Sequence, residues 1–487
     1  MTDTLPALRD GLIIGEDTIM DPLLGRRLRL DESFLAVAST LPGSADEIAA
    51  RTQLDAELVL RVTRSLEAQH LLDTGATRAH IKDVTALRDT LTQDPDAVSL
   101  IIRDDAAFTC TQCGSCCGGH NIGPVLPDTL DALSPHMSAL TTAAKLNASP
   151  FYSLPNDGEP PSVLCRTEGG WCVFLDDTRR CTIHAALGGP AKPRVCQLFP
   201  WEFKATPEGI SVTVSNECRG ISEARHGQAV SARTPELRRL LRLIPPGHLD
   251  ALPSRLTLRP GVEVSFAQWS TKLSAMHEAL STHAESPIRA YLAMREALDP
   301  TEVPPSDTSP LDDLSTLCEA MGQTLEEVAH RAESSSQSVV VVTDGIRLLT
   351  EALESMPGDL ARVVAPLERP DQGELFATLM HHRLASHGLL DAKSASHGLA
   401  WLTFGWMLGR ASAIRRARQV KRRHIVSQDL VDAMAPITFA LRAGRVRNAL
   451  QPFDDAILDL FGRRLDALHT QGSAHRTPNA PLELHAS

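Results

Sequence analysis

The sequence predicts a mainly α-helical protein with a small N-terminal α+β, winged-helix-like domain and a loop-rich, cysteine-dense middle. Three observations lead there. From Arg233 onward apolar residues recur at helical spacing almost without interruption. Before residue 78, short strand-like runs precede three helical ones. Between Phe108 and Gly220 stand nine of the ten cysteines, among Gly-Gly pairs and prolines that favour loops and turns over regular elements.

At 487 residues the chain is long enough for several domains and needs no metal merely to reach a viable core. A hydrophobic content of 43% and a charged content of 22% are those of an ordinary globular protein. A net charge of -12 argues against bulk nucleic-acid binding. The start Met1-Thr-Asp-Thr-Leu-Pro has no basic segment followed by an apolar one, as a secretory signal requires. The longest apolar run, Leu399 to Leu408, stops at Arg410 and is too short to span a bilayer. These features point to the cytoplasm, with no membrane partner. There thiols stay reduced, and clustered cysteines read as metal ligands or redox groups rather than disulfides.

Residues 1–78 form the first predicted domain. Gly11 to Gly15 and Arg27 to Asp31 read as strands, with Asp21-Pro22 and Gly25 as turn formers between them. Helices follow from Ser33 to Ala38, from Ser44-Ala-Asp-Glu47 with a capping-box pattern, and from Leu54 to His70. The layout permits a winged-helix DNA reader, but Arg61 and Arg64 are mixed with Asp55, Glu57 and Glu67, a poor phosphate footprint. Residues 79–107 read as a connector carrying a helix from Asp83 to Thr92. Residues 108–220 form the cysteine region, with Pro127 to Ala148 as an expected helical spacer. Residues 230–470 read as a helical domain. Its expected helices run from Pro235, Phe266, Ser286, Leu311, Val339, Leu375, Ala400 and Ser427. A linker is expected at Thr301 to Pro310, and a polar, disordered tail at 471–487.

The chemistry concentrates in the cysteine region. It opens Cys110-Thr-Gln-Cys113-Gly-Ser-Cys116-Cys117, where two-residue spacings turn thiolates toward one centre. Cys165, Cys172, Cys181, Cys196 and Cys218 follow, with His184 three residues after Cys181. Nine thiols and an imidazole exceed the four ligands of one closed zinc site. The run resembles the start of a ferredoxin motif but lacks its C-x3-C-P ending. Neighbouring side chains diverge, so Cys116 and Cys117 are expected to face two metal environments. Trp171 to His184 reads as a hairpin bringing Cys172 and Cys181 together, and Lys192 and Arg194 favour a thiolate at Cys196. His184 reads equally as a ligand, a proton donor or a hydrogen-bonded structural histidine.

Two resemblances follow from these residues. Cys110 to Cys117, Gly170-Trp-Cys172, Cys181-Thr-Ile-His184 and Lys192-Pro-Arg-Val-Cys196-Gln-Leu-Phe-Pro200 together resemble the CxxCxxCC, or YkgJ-like, family of zinc- or iron-chelating proteins. That family includes flagellin lysine-N-methylases. The resemblance implies Cys110, Cys113, Cys116, Cys117, Cys172, Cys181, His184 and Cys196 as metal ligands, with Cys165 and Cys218 as further members. It departs from the family at Gln197, where arginine is common. Through its methylase members it implies a lysine N-methylase using S-adenosylmethionine, although the chain has no glycine-rich nucleotide loop and no C-x3-C-x2-C motif. Asp21 to Glu32, Asp46-Glu-Ile-Ala and Leu66 to Leu72 resemble the pyrroloquinoline-quinone biosynthesis D-type domain. That likeness implies a protein or peptide substrate paired to a strand edge.

The expected function is therefore modification of a protein or peptide at an iron–sulfur cluster or iron, by lysine methylation or oxidation. The alternatives are a non-enzymatic zinc-binding interaction or assembly protein, and a metal-responsive regulator. Elsewhere, His381-His382 reads as a partly exposed helix face, since adjacent histidines point about 100° apart. Arg415 to Arg423 reads as a solvated basic face and Cys318 as a core thiol.

Overall fold

The computed structural model describes residues 4–474, except 16–17, 24–25, 30–31, 95, 119–121, 147–148, 157–158, 169–170, 224–225, 245–248, 253–254, 300–309 and 334–339. Gly25, Asp31, nearly all of the expected linker and the tail beyond Ala474 lie outside the described residues. Helix accounts for 61% of the described residues and the sheets are small, so the fold is mainly α. The chain divides into two compact units: residues 1–101, 203–211 and 234–254 form one, and residues 102–202, 212–233 and 255–487 the other.

The first unit opens with an antiparallel ribbon of Ile13–Ile14, Thr18–Asp21 and Arg26–Arg29. Its middle strand falls in the stretch read as a link between two strands. Ile19 turns fully inward there while Met20 stays exposed. Helices Glu32–Thr40, Ala45–Thr52 and Ala56–Ala68 follow, and Ile19, Val37, Ile48, Val59, Val62, Leu66 and Leu71 form the core. The capping box is present: Ser44 Oγ accepts from the Glu47 N–H and the Glu47 carboxylate accepts from the Ser44 N–H at 2.9 Å. A fourth helix, Gly75–Gln93, is capped by Thr74. It starts eight residues before the expected one because Thr74, not Asp83, supplies the N-terminal acceptor. A four-stranded sheet orders Asp250–Ala251, Trp201–Thr206, Gly209–Val214 and Leu100–Ile101. Both outer strands pair parallel to their neighbours. Such long-range pairing leaves no local pattern in two- and six-residue strands.

In the second unit, the cysteine region carries more regular structure than its glycines and prolines implied. Phe151–Asn156 and Glu159–Cys165 form a hairpin, Thr167–Glu168 pairs with Trp171–Cys172, and Thr182–Leu187 and Arg194–Leu198 are short helices. The expected spacer helix is broken into Pro127–Leu133 and Met137–Ala143 by a 3₁₀ turn at Ser134–His136. Pro135 lacks the N–H that would continue the ladder.

The helical half runs through Phe266–Thr282, Pro287–Leu298, Pro310–Glu333, Val340–Ser355, Pro370–Ala385, Ala395–Gln419 and Ser427–Arg442 to Leu465–Ala474. That last helix carries order past residue 470. A hairpin of Arg255–Arg259 and Val262–Ser265 precedes the first helix. Ala395–Gln419 is buried on nearly every face from Ala395 to Ala417, which accounts for the apolar run around Leu399–Leu408. Within it the buried Arg410 guanidinium donates to the carbonyls of Val363, Ala365 and Pro366. Among the described residues no helix is long and apolar enough to cross a membrane.

Candidate metal centre

Four segments converge on the cysteines, and two glycines set how closely the first approaches the others. Gly114 has φ +71°, and a Cβ there would lie 2.7 Å from the Arg179 carbonyl oxygen. A Cβ on Gly118 would lie 2.7 Å from the Trp171 ring. Gly118 also bridges to Trp171, whose ring is covered by the Arg179 guanidinium at 4.5 Å. The C-x2-C-x2-C-C run is thereby laid against the segment that carries Cys172 and Cys181.

A 3₁₀ turn over Ser115–Cys117, closed by the Cys117 N–H to the Gly114 carbonyl at 2.8 Å, brings the Cys116 and Cys117 sulfurs to 3.9 Å. The divergence expected of adjacent side chains is therefore not found. The separation is close to the ~3.8 Å between two thiolates on one tetrahedral ion with ~2.3 Å bonds. Cys165, at the end of its hairpin strand, acts on the protonation of Cys172 as Cys117 does on that of Cys116. Cys165 and Cys172 are buried in one apolar cluster with Ile122, Leu133, Phe174 and Ile183, and Cys117, Cys181 and Cys196 pack against it.

Each pair has a donor and an acceptor. The hydrogen bond from Cys117 and, after it, the nearby Lys192 ammonium hold Cys116 down to about 7. The bond from Cys165 and the Phe174 N–H lower Cys172. Cys117 and Cys165 are pushed up, first because the hydrogen bond to the partner sulfur holds their protons on and then by burial. Burial raises Cys181, and the backbone N–H groups of His184 and Ile183, with Lys192, oppose it. Burial lifts Cys196 to about 12 against Lys192. Cys218 is also lifted to about 12, against N–H groups of Gly220 and Ile221.

Cys181 and Cys218 share a local device. Each precedes a short helix, Thr182–Leu187 or Arg219–Glu223, and the backbone N–H groups two and three residues ahead act against burial to lower its thiol. Hydrogen bonds to sulfur favour its anionic, ligating form.

The thiols fall into two overlapping groups. Cys116, Cys117, Cys165, Cys172, Cys181 and Cys196 act on one another electrostatically, while Cys218 is coupled to Cys116 and Cys110. Cys116 belongs to both. Cys110 is exposed and Cys113 half-buried. The His184 ring is exposed beside Gly189, and what His184 gives the cluster is its backbone N–H. Among the described residues no three His, Cys, Asp or Glu side chains are already arranged to hold an ion. The donor set fits a thiophilic metal: soft sulfurs, N–H groups aimed at them and a lysine to offset negative charge. Gln197 also takes part, its side-chain amide donating to the Lys192 carbonyl at 2.7 Å and the Pro190 carbonyl at 3.0 Å.

One reading outside this region needs correction. His381 and His382 are both buried and line one cleft, because that helix is covered by other elements on both of their sides. The basic run is the exposed face its pattern indicates, and four of its arginines carry ion pairs there: Arg415 meets Glu351, Arg416 meets Asp429 and Asp432, Arg418 meets Asp359, and Arg422 meets Asp429. Cys318 is a buried thiol, as its helix pattern indicates.

Residues 109–218 match the family model CxxCxxCC, described as "Putative zinc- or iron-chelating domain". The match spans less than a quarter of the chain. Comparison with curated proteins and with solved structures returns no match.

Proposed function

We propose that this chain is a cytoplasmic metalloprotein whose cysteine region holds iron, as an iron–sulfur cluster or as iron alone, and modifies a protein or peptide. The observation that carries the reading is the surplus of sulfur. Nine thiols stand between Cys110 and Cys218, more than twice what a single tetrahedral ion takes, and five of them, Cys117, Cys165, Cys172, Cys181 and Cys196, meet at one apolar cluster. Cys116, Cys117, Cys165, Cys172, Cys181 and Cys196 would hold one centre, and Cys110, Cys113 and Cys218 would complete a second through Cys116. When bound, such a centre supplies electron transfer or Lewis acidity. Lysine methylation with S-adenosylmethionine and substrate oxidation are the two reactions that fit this reading.

The substrate would dock on the N-terminal ribbon. Its edge strand exposes Ile13 at 55% and Ile14 at 45%, beside the exposed Met20 and Leu23, and such an edge accepts an added strand. A second reading, a zinc-binding interaction protein, draws on the 3.9 Å Cys116–Cys117 spacing. Colour separates the two. Protein purified without air should absorb near ~400 nm through iron–thiolate bonds, and a colourless protein would favour zinc.

A further inference from the structure

A cleft of about 530 Å³ in the second unit is lined by Arg103, Asp105, Ser281, Glu374, His381 and His382, among others. It lies outside the thiol cluster, and its hydrogen bonds fix which ring nitrogens carry protons. Arg103 Nη1, which can only donate, is 3.1 Å from His277 Nδ1, so that nitrogen is an acceptor. The same atom is 2.8 Å from His381 Nδ1, which must then be the donor. His381 is thereby left with a lone pair on Nε2. On His382 the order is reversed: its Nδ1 accepts from the Val214 backbone N–H at 3.4 Å and lies 2.7 Å from the Thr213 hydroxyl, so the proton sits on Nε2.

Neither outer nitrogen is well satisfied by the protein. Ser281 has one hydroxyl hydrogen and two acceptors, the His277 carbonyl at 3.0 Å and His381 Nε2 at 3.3 Å. No described residue is bonded to His382 Nε2. The cleft wall thus offers an acceptor and a donor on adjacent residues. We propose that this cleft is an amide-binding site, in which His381 Nε2 accepts the N–H of a ligand amide and His382 Nε2–H donates to its carbonyl oxygen. The ligand class is a neutral primary amide, the terminal or side-chain carboxamide of a polypeptide segment or a small carboxamide, because only a primary amide carries an N–H on the same side as its carbonyl oxygen.

Other ligands fit less well. A carboxylate would meet the His381 lone pair and the Asp105 carboxylate, while the Arg103 guanidinium is already paired with Asp105 and His277. A metal ion would meet the His382 N–H, and the Nδ1 atoms of His277 and His381 are engaged with each other. Ala107, Ala284 and Ala377 offer apolar contact to the flanks of an amide. Burial, reinforced by Arg103, holds His277 and His382 down to about 4 and His381 to about 3, so the proton pattern persists at neutral pH. The inference is independent of the metal reading.

The test uses the full chain with ¹⁵N-labelled histidine, whose long-range ¹H–¹⁵N spectra report the tautomer of each ring. His381→Gln and His382→Gln assign the signals. The expected pattern is Nδ1–H for His381 and Nε2–H for His382, and the opposite tautomer at either residue would overturn the proposal. Benzamide and an acetylated trialanine amide should shift both outer nitrogens, benzoate should not, and His382→Phe should weaken amide binding about tenfold. Tighter binding of the peptide identifies a polypeptide source and tighter binding of benzamide a small carboxamide. Equal binding of benzoate, capture of Zn²⁺ by these rings, or no shift with either amide contradicts the assignment in the unmodified protein, whatever the folding of the variants.

Discussion

The thiol cluster and the histidine cleft both gather residues that ligate metals, yet their surroundings act on protonation in opposite ways. Backbone N–H groups and Lys192 aim positive charge at sulfur, which favours the thiolate against burial. Around the histidines, burial and Arg103 act together and favour the neutral ring. Residue type alone does not distinguish a metal site from a hydrogen-bonding site. The sign of the partner charge and the direction of the neighbouring N–H groups do.

The largest expected effect falls on the shared sulfur. Cys116→Ser should reduce bound metal in both groups, whereas Cys218→Ser should reduce only one, as read by the metal-to-protein ratio. Equal losses from the two variants would dissolve the division into two groups. Next comes Gly114→Ala, which places a side chain at φ +71° and against the Arg179 carbonyl. The left-handed conformation alone costs roughly 1–2 kcal/mol, and denaturant unfolding should show at least that loss.

The cysteine ligand candidates were legible because short spacings record local geometry. Both N-terminal features that depend on local chemistry, the Ser44 capping box and the helix read from Leu54 to His70 and found at Ala56–Ala68, were legible for the same reason. The middle strand Thr18–Asp21 was hidden behind turn residues, and the strands Leu100–Ile101 and Asp250–Ala251 are too short to leave a period. The histidine cleft was not legible either. His277 and His381 are 104 residues apart, and only packing reveals that they meet. The pairing of Arg418 with Asp359, 59 residues away, was hidden in the same way.

The pH response sharpens the comparison from the histidine side. His381 and His382 titrate at about 3 and 4 in the fold but near 6.5 when unfolded, so the unfolded chain binds more protons between those values. Stability should therefore be full above about pH 6.5 and fall as the pH drops toward 4, by about 1.4 kcal/mol per pH unit for each such histidine. His382→Gln should flatten that slope in denaturation measured across the range, and an unchanged slope would count against a neutral buried ring. The smallest effect is expected from Lys192→Met, which leaves every sulfur in place. Chelator competition should show metal affinity lowered about tenfold, the usual scale for a group acting on the ligands from behind.

Iron, acid-labile sulfide and zinc analysis of the full chain kept from air tests the central claim most directly. The surplus of coupled thiols predicts iron, with sulfide where a cluster forms, in amounts that fall in Cys116→Ser. One zinc per chain with no iron would contradict it.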